Sequence, residues 1–471
     1  LFRSRLCIIY NEEIVSGGIM DTIKRLNENL SKLDEARKSA LGFLSELTDD
    51  KSFVETGAFT SGTTFEDGVE ALGEGIITGY ATVFGIPVYL FVQNFEAMRG
   101  SFSSAQATKI KNVMDAAVKN GVPFVSVIDS AGARLDEGAK VLEGYAKIIR
   151  LAASMKNEVP HVAVIRGAAT GLMDVFANVA DVVIFGTDGY ASLAAPSAVL
   201  AKDGKNPSDA KKYLGKDAAE KSGVAALEYA DVATLKNQIA SVLTFLSGES
   251  KIADNPNKVA KKVESVSDAV GAICDNGSAL EISCDEAATK TYFAYADGAP
   301  VGVLSVEGEL TCKDFRKIKR FVNLLDAYNI PLVSVVDSDG FAARLKCEEK
   351  GVAKIAAEAY TAMALSENPK IAVIKNAIGG AYALLAAKEI GFNYTIAFSD
   401  ATIAPLSSDQ AVNFYDEKLS DNPQQDKEEL KAKYTFAEGN PFKAAKDGYI
   451  DAVIDAREVK PYVASALSML L

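Results

Sequence analysis

Gly121-Val-Pro-Phe-Val-Ser-Val-Ile-Asp-Ser130 returns further along the chain as Asn329-Ile-Pro-Leu-Val-Ser-Val-Val-Asp-Ser338, so that Asp129 corresponds to Asp337. Both stretches place a proline before an unbroken, β-branched apolar run and close it with Asp-Ser, the pattern of a strand buried on both faces and ending in a turn. The correspondence continues outward. Lys109-Ile-Lys111 returns as Lys317-Ile-Lys319 at the same spacing, and Val159-Pro-His-Val-Ala-Val-Ile-Arg166 returns as Asn368-Pro-Lys-Ile-Ala-Val-Ile-Lys375. Gly85-Ile-Pro-Val88 is matched by Gly298-Ala-Pro-Val301. Collinear matches at nearly one long spacing mean a duplicated domain rather than a solenoid. Each copy reads as strand, small-residue loop, crossover helix and a second strand, so the fold class is α/β. The first copy places these at 122–128, 130–133, 142–155 and 162–165; the second places them at 332–336, 338–340, 352–365 and 371–374.

A chain of 471 residues exceeds what one hydrophobic core organises, in agreement with two domains. Breakers cluster at 247–258, so the domains are expected over 20–250 and 251–471. Residues 1–19 read as an upstream leader, because Met20 opens an amphipathic pattern of Ile23, Leu26, Leu30, Leu33 and Ala36. A net charge of −13 argues against nucleic acid, whose binding requires clustered cations. The five cysteines form no C-x-x-C pair and no apolar run is long enough to span a bilayer, so reduced thiols in a cytoplasmic protein are expected.

The chain has one histidine, His161, and the second copy has Lys370 in its place. No zinc-type ligand cluster is present and no metal is expected. A Ser-His-Asp triad would rest on a residue that opens a buried strand, so His161 reads as incidental. What remains is backbone chemistry. Ser130-Ala-Gly-Ala-Arg134 and Gly167-Ala-Ala-Thr-Gly-Leu172 in the first copy, and Ser338-Asp-Gly-Phe341 and Asn376-Ala-Ile-Gly-Gly-Ala381 in the second, put small residues beyond strand C-termini. Such turns expose N–H groups to a bound carbonyl, and two of them make an oxyanion hole. Tight packing of helix on strand also demands small residues; the appearance of the same pair in both copies favours one hole per copy. None of these turns is a phosphate loop or a dinucleotide fingerprint.

At these residues the chain resembles the biotin-dependent acyl-CoA carboxyltransferases, the group of propionyl-CoA carboxylase β and methylmalonyl-CoA decarboxylase α chains. The resemblance is carried by Phe102-Ser-Ser-Ala-Gln-Ala-Thr-Lys-Ile110, Asp129-Ser-Ala-Gly-Ala-Arg134, Ser222-Gly-Val-Ala225, Val333-Ser-Val-Val-Asp-Ser-Asp-Gly-Phe341, Gly379-Gly-Ala-Tyr382 and Asn440-Pro-Phe-Lys-Ala-Ala-Lys-Asp-Gly-Tyr-Ile-Asp451. It implies two tandem crotonase-like domains, acyl-CoA on the first and biotin, carried by a partner protein, on the second. The amides of Ala133 and of Gly171 or Leu172 would hold the thioester oxygen; those of Phe341, after Gly340, and of Gly380 or Ala381 would hold the biotin ureido oxygen. Carboxybiotin would release carbon dioxide, biotin nitrogen would take the α-proton, and the enolate would be carboxylated. Arg134 is a candidate for a carboxylate or CoA phosphate, or else an ion pair with Asp136 or Glu137. Ala383 follows the tetrapeptide whose next residue bears on acyl choice in this family.

The resemblance further implies a homo-oligomer, dimer or hexamer, with sites at subunit interfaces. Its partners would be a biotin carboxyl carrier protein with biotin carboxylase or sodium-pump decarboxylase subunits, the latter placing it beside a membrane. The chain carries no Ala-Met-Lys-Met biotinylation site. Two departures stand out: Gly171-Leu172-Met173 replaces the family's Gly-Gly-Ala, and Asp339 sets a carboxylate beside the second hole. The alternative functions are a one-hole hydratase or hydrolase of CoA thioesters, and a non-catalytic scaffold for a biotin carrier.

Overall fold

The structure, a computed structural model, describes residues 17–62, 72–414 and 423–471. The expected leader lies outside the described residues except for its last positions, 17–19, which form the start of a helix over Gly17–Ala36. The helix therefore opens upstream of Met20.

The chain divides into two compact units, Leu1–Leu243 and Thr244–Leu471. In the first, β1 (Val54–Glu55), β2 (Ile76–Val83), β3 (Ile86–Gln93), β4 (Phe124–Ser130), β5 (His161–Thr170), β6 (Val182–Gly186) and β8 (Leu227–Tyr229) lie side by side in that order, and β7 (Tyr190–Ser192) pairs with the end of β5. In the second, β9 (Leu280–Glu281), β10 (Thr289–Ala296), β11 (Ala299–Glu307), β12 (Leu332–Ser338), β13 (Lys370–Ile378), β14 (Tyr394–Ala404) and β15 (Ala452–Ile454) form a sheet in the order of their numbers. An antiparallel hairpin leads into parallel strands in both, β2–β3 then β4 in one and β10–β11 then β12 in the other. Two such α/β units in sequence match the tandem crotonase-like arrangement that the resemblance implies.

The duplication reaches hydrogen-bond detail. Ser103 caps the helix Ser104–Asn120 and, at the matching place in the second unit, Thr311 caps Cys312–Ala327; each cap hydroxyl satisfies an otherwise orphaned first-turn amide. At the far ends, Val122 N donates to Ala117 O at 3.0 Å and Ile330 N to Leu325 O at 3.0 Å, which turns each chain directly into its buried strand. Every residue of β4 is buried, as the unbroken apolar run requires.

The loop expected at Gly167–Thr170 and Asn376–Ile378 is not a loop: these residues continue β5 and β13. A register shift separates them from the first part of each strand, after which Ala168–Thr170 pair with β7 and Asn376–Ile378 with the second half of β14. Small residues permit this jog, so each turn shrinks to a single glycine.

Candidate active site

The first candidate donor lies where β4 and β12 run out. Gly132 and Gly340 have φ of 115° and 97°, conformations that other residues rarely adopt. Their amides turn back onto Ser130 Oγ and Ser338 Oγ, each at 3.3 Å. Gly340 therefore shapes the turn, with its amide directed at Ser338 Oγ. The following residues are gripped from both sides: Phe102 N donates to Gly132 O at 2.8 Å and Arg134 N to Phe102 O at 2.9 Å, while Leu310 N donates to Gly340 O and Ala342 N to Leu310 O, both at 2.9 Å. This clamp leaves the amides of Ala133 and Phe341 pointing elsewhere, and neither donates to any described residue.

The second candidate donor lies at the end of the adjacent strand. Gly171 (φ 69°, ψ −133°) and Gly379 (φ 56°, ψ −130°) break β5 and β13 and start the helices Leu172–Val179 and Gly380–Leu385. Their own amides are consumed, Gly171 N by Ser192 O at 2.9 Å and Gly379 N by Ala404 O at 2.8 Å. Gly171 is thereby removed as a donor, leaving Leu172, and the residue that matches Leu172 in the second unit is Gly380 rather than Ala381. As first helical residues, Leu172 and Gly380 have amides without an intrahelical acceptor. The turns are adjacent because Ser130 pairs with Ala169 and Ser338 with Ala377. A Cβ built on Gly380 would lie 2.2 Å from Phe341 Cζ, so these two residues touch.

Different carboxylates tie the loops. Asp129 is buried and accepts from Ala168 N at 3.0 Å, joining the end of β4 to the second segment of β5. Gly167 is obligatory beside it, since a Cβ there would lie 2.3 Å from Asp129 Oδ1. Burial raises the Asp129 carboxyl above its ordinary value. In the second unit Asp337 instead accepts from Lys375 Nζ at 2.7 Å. Asp339 is exposed, as a solvated loop acid is, and accepts from Asn376 Nδ2 at 3.0 Å. It fastens one loop to the other.

Arg134 does not present a fork to a phosphate. Only 5% exposed, it pairs with Glu74 at 2.7 Å and reaches Ser101 O at 3.3 Å. Neither Asp136 nor Glu137 is the partner; Glu137 accepts from Ser104 N at 2.7 Å, at the start of the helix. His161 is buried between Phe124 and Phe176, with Nε2 2.9 Å from Ser126 Oγ. Burial lowers its pKa to about 3, so it is neutral at physiological pH and remote from base chemistry. Ala383 lines a cavity of about 540 Å³ with Gly379, Gly380, Tyr382, Ile403 and Tyr449.

One titratable group carries almost no signal in the sequence. Asp174, in the first turn of the helix that Leu172 opens, has its carboxyl raised to about 6 by burial and held by Asn178 Nδ2 at 3.0 Å. Its only mark is an acid at a helix start, which is commonplace.

The model of the carboxyl transferase domain matches residues 32–471. The alpha subunit of methylmalonyl-CoA decarboxylase from Veillonella parvula is 29% identical, over 96% of this chain and 96% of its own. The beta chain of propionyl-CoA carboxylase from Cereibacter sphaeroides is 31% identical, over 90% of this chain and 89% of its own. Among solved structures, transcarboxylase 12S, described as a hexamer in a multienzyme core and seen with hydrolysed methylmalonyl-coenzyme A, superposes with a TM-score of 0.86 at 28% identity, covering 96% of this chain and 95% of that one.

Proposed function

Because the chain belongs to the carboxyl transferase family, we propose that it moves a carboxyl group between biotin on a carrier protein and the α-carbon of a short acyl-CoA. The observation that carries this reading is the doubled donor pair, Ala133 with Leu172 and Phe341 with Gly380, each with amides free of internal acceptors. A transfer between two carbonyl-bearing reactants uses two holes; a hydratase or hydrolase uses one.

Ala133 and Leu172 N–H hold the thioester oxygen, and their fixed dipoles stabilise the negative charge that accumulates there as the α-proton leaves. The helix that begins at Leu172 adds its positive end to the same field. Phe341 and Gly380 N–H hold the ureido oxygen of biotin. The fit is supported by those two free amides and by the adjoining cavity of about 540 Å³, large enough for a small bicyclic ring. Biotin, when bound, supplies the basic nitrogen and the carboxyl carrier, chemistry that the neutral, buried His161 does not offer. The carboxylate ties at Asp129, Asp337 and Asp339 keep both pairs preorganised, so little reorganisation is needed as charge develops.

The biotin arrives on a carrier protein, with biotin carboxylase or decarboxylase-pump subunits completing the complex, and the chain acts as a homo-oligomer in the cytoplasm. Among the described residues no helix is long and apolar enough to cross a membrane. The test is turnover of malonyl-CoA, methylmalonyl-CoA and glutaconyl-CoA by the purified chain with and without free biotin. Biotin-dependent loss of carbon dioxide is the expected result; turnover indifferent to biotin would replace this reading with one-hole chemistry.

A further inference from the structure

The two donor pairs share a backbone but exchange side-chain volume. Ala133 and Leu172 in the first unit stand where Phe341 and Gly380 stand in the second. In the second unit a side chain beginning at residue 380 would run into the Phe341 ring, since its Cβ would lie 2.2 Å from Cζ and 2.6 Å from Cε2. The first helical position therefore projects onto the residue that carries the other donor. Gly171 (φ 69°, ψ −133°) and Gly379 (φ 56°, ψ −130°) turn the chain in nearly the same way, so the same projection holds in the first unit. On that projection the isobutyl group of Leu172 is directed towards Ala133, at the place that the Phe341 ring takes in the second unit. Leu172 and Ala133 are both partly buried. A phenyl ring at 133 and an isobutyl group at 172 would compete for one space.

We propose that Leu172 is the specificity-determining side chain of the first unit and selects acyl thioesters with an unbranched α-carbon. The inference rests on Ala133 and Leu172 as the thioester hole. An oxygen held by those amides lies beside the Leu172 side chain, and the α-carbon is bonded to the same carbonyl carbon. An α-substituent that turns towards the helix start then meets the isobutyl group. Overpacking of this kind is costly in a well-packed site, and discrimination at the level of one methyl amounts to about 10–200-fold.

The experiment compares carbon dioxide release from malonyl-CoA and methylmalonyl-CoA, with free biotin, by the full chain and by Leu172→Ala, Leu172→Gly and Leu172→Gly/Ala133→Phe. Wild type is expected to favour malonyl-CoA in kcat/KM by about 10-fold or more. Leu172→Ala should bring the ratio towards one by raising the methylmalonyl-CoA rate, and the double variant, which refills the volume from the other loop, should restore the preference. Leu172→Ala carries the test if glycine at the helix start unfolds the protein. A ratio near one in wild type, or one unmoved in Leu172→Ala, overturns the role of Leu172 and leaves the carboxyltransferase reading standing. Turnover of neither substrate by wild type, while biotin binds, overturns both.

Discussion

The two units present the same pair of amides with opposite furniture around it. In the first, the bulky side chain comes from the helix start (Leu172) and the small one from the loop (Ala133); in the second the helix start is Gly380 and the loop residue is Phe341. The ties differ as well. Asp129 holds a backbone amide in a buried site, whereas Asp337 holds the Lys375 ammonium and is assisted by Asp339 and Asn376. Arg166, which matches Lys375, leaves its carboxylate and lies over the Phe43 ring at 4.7 Å. After duplication the hydrogen bonds that shape the two turns persisted, while side chains around them diverged. That is the expected outcome if an N–H aimed by backbone geometry is the working part, because side-chain changes alter its surroundings without moving it.

The comparison can be broken most sharply at Gly380. Gly380→Val drives a branched side chain into the Phe341 ring and should lower biotin-dependent transfer by about 100-fold or more, the scale of losing an oxyanion donor, with acyl-CoA binding retained. Loss of acyl-CoA affinity instead, by calorimetry, would mean the assignment of the two units is reversed. Phe341→Ala/Gly380→Leu, which copies the first unit's arrangement, should recover much of the activity.

Arg134 separates the units next, since its counterpart in the second is the buried Ala342. Arg134→Met leaves Glu74 without its cation in a buried position and should reduce unfolding free energy by about 3 kcal/mol in urea titrations. KM for acyl-CoA in the folded fraction should stay within a few-fold of wild type. A large KM rise with stability intact would return Arg134 to substrate binding.

A smaller effect is expected at the loop tie. Asp129→Ala strands the Ala168 amide at a cost of about 2 kcal/mol, while Asp129→Asn keeps an acceptor oxygen and should cost less. Equal losses in both would show that the charge, and not the hydrogen bond, holds the loops.

The smallest effect concerns Asp174. Burial raises its carboxyl to about 6, so between about pH 4 and pH 6 the folded state binds more protons than the unfolded one and stability falls as pH rises. Asp174→Asn should therefore gain about 1 kcal/mol above pH 6, after allowance for partial solvent screening, and nothing near pH 4. A gain of equal size at both pH values would point to packing in place of titration.

Much of the site is legible in the sequence because it is made of local backbone requirements. The repeat of Pro-apolar-Asp-Ser locates the strands, and the glycines at 132, 171, 340 and 379 are visible because positive φ selects glycine. The helix over 352–365 follows from the sequence to the residue. Residues 167–170 mislead, since small residues suit a loop and a bulged strand equally well, and β7, a separate segment further along the chain, decides between them.

What the sequence by itself determined is therefore the duplication, the α/β class of each copy and the positions of the turns, all consequences of periodicity and of glycine's conformational freedom. Only the tertiary structure decided which amides are free and which cation is available. Ser192 takes the Gly171 amide and Glu74 takes Arg134. Both partners lie far along the chain, and no local rule connects a buried donor with an acceptor that the fold alone brings within hydrogen-bonding distance.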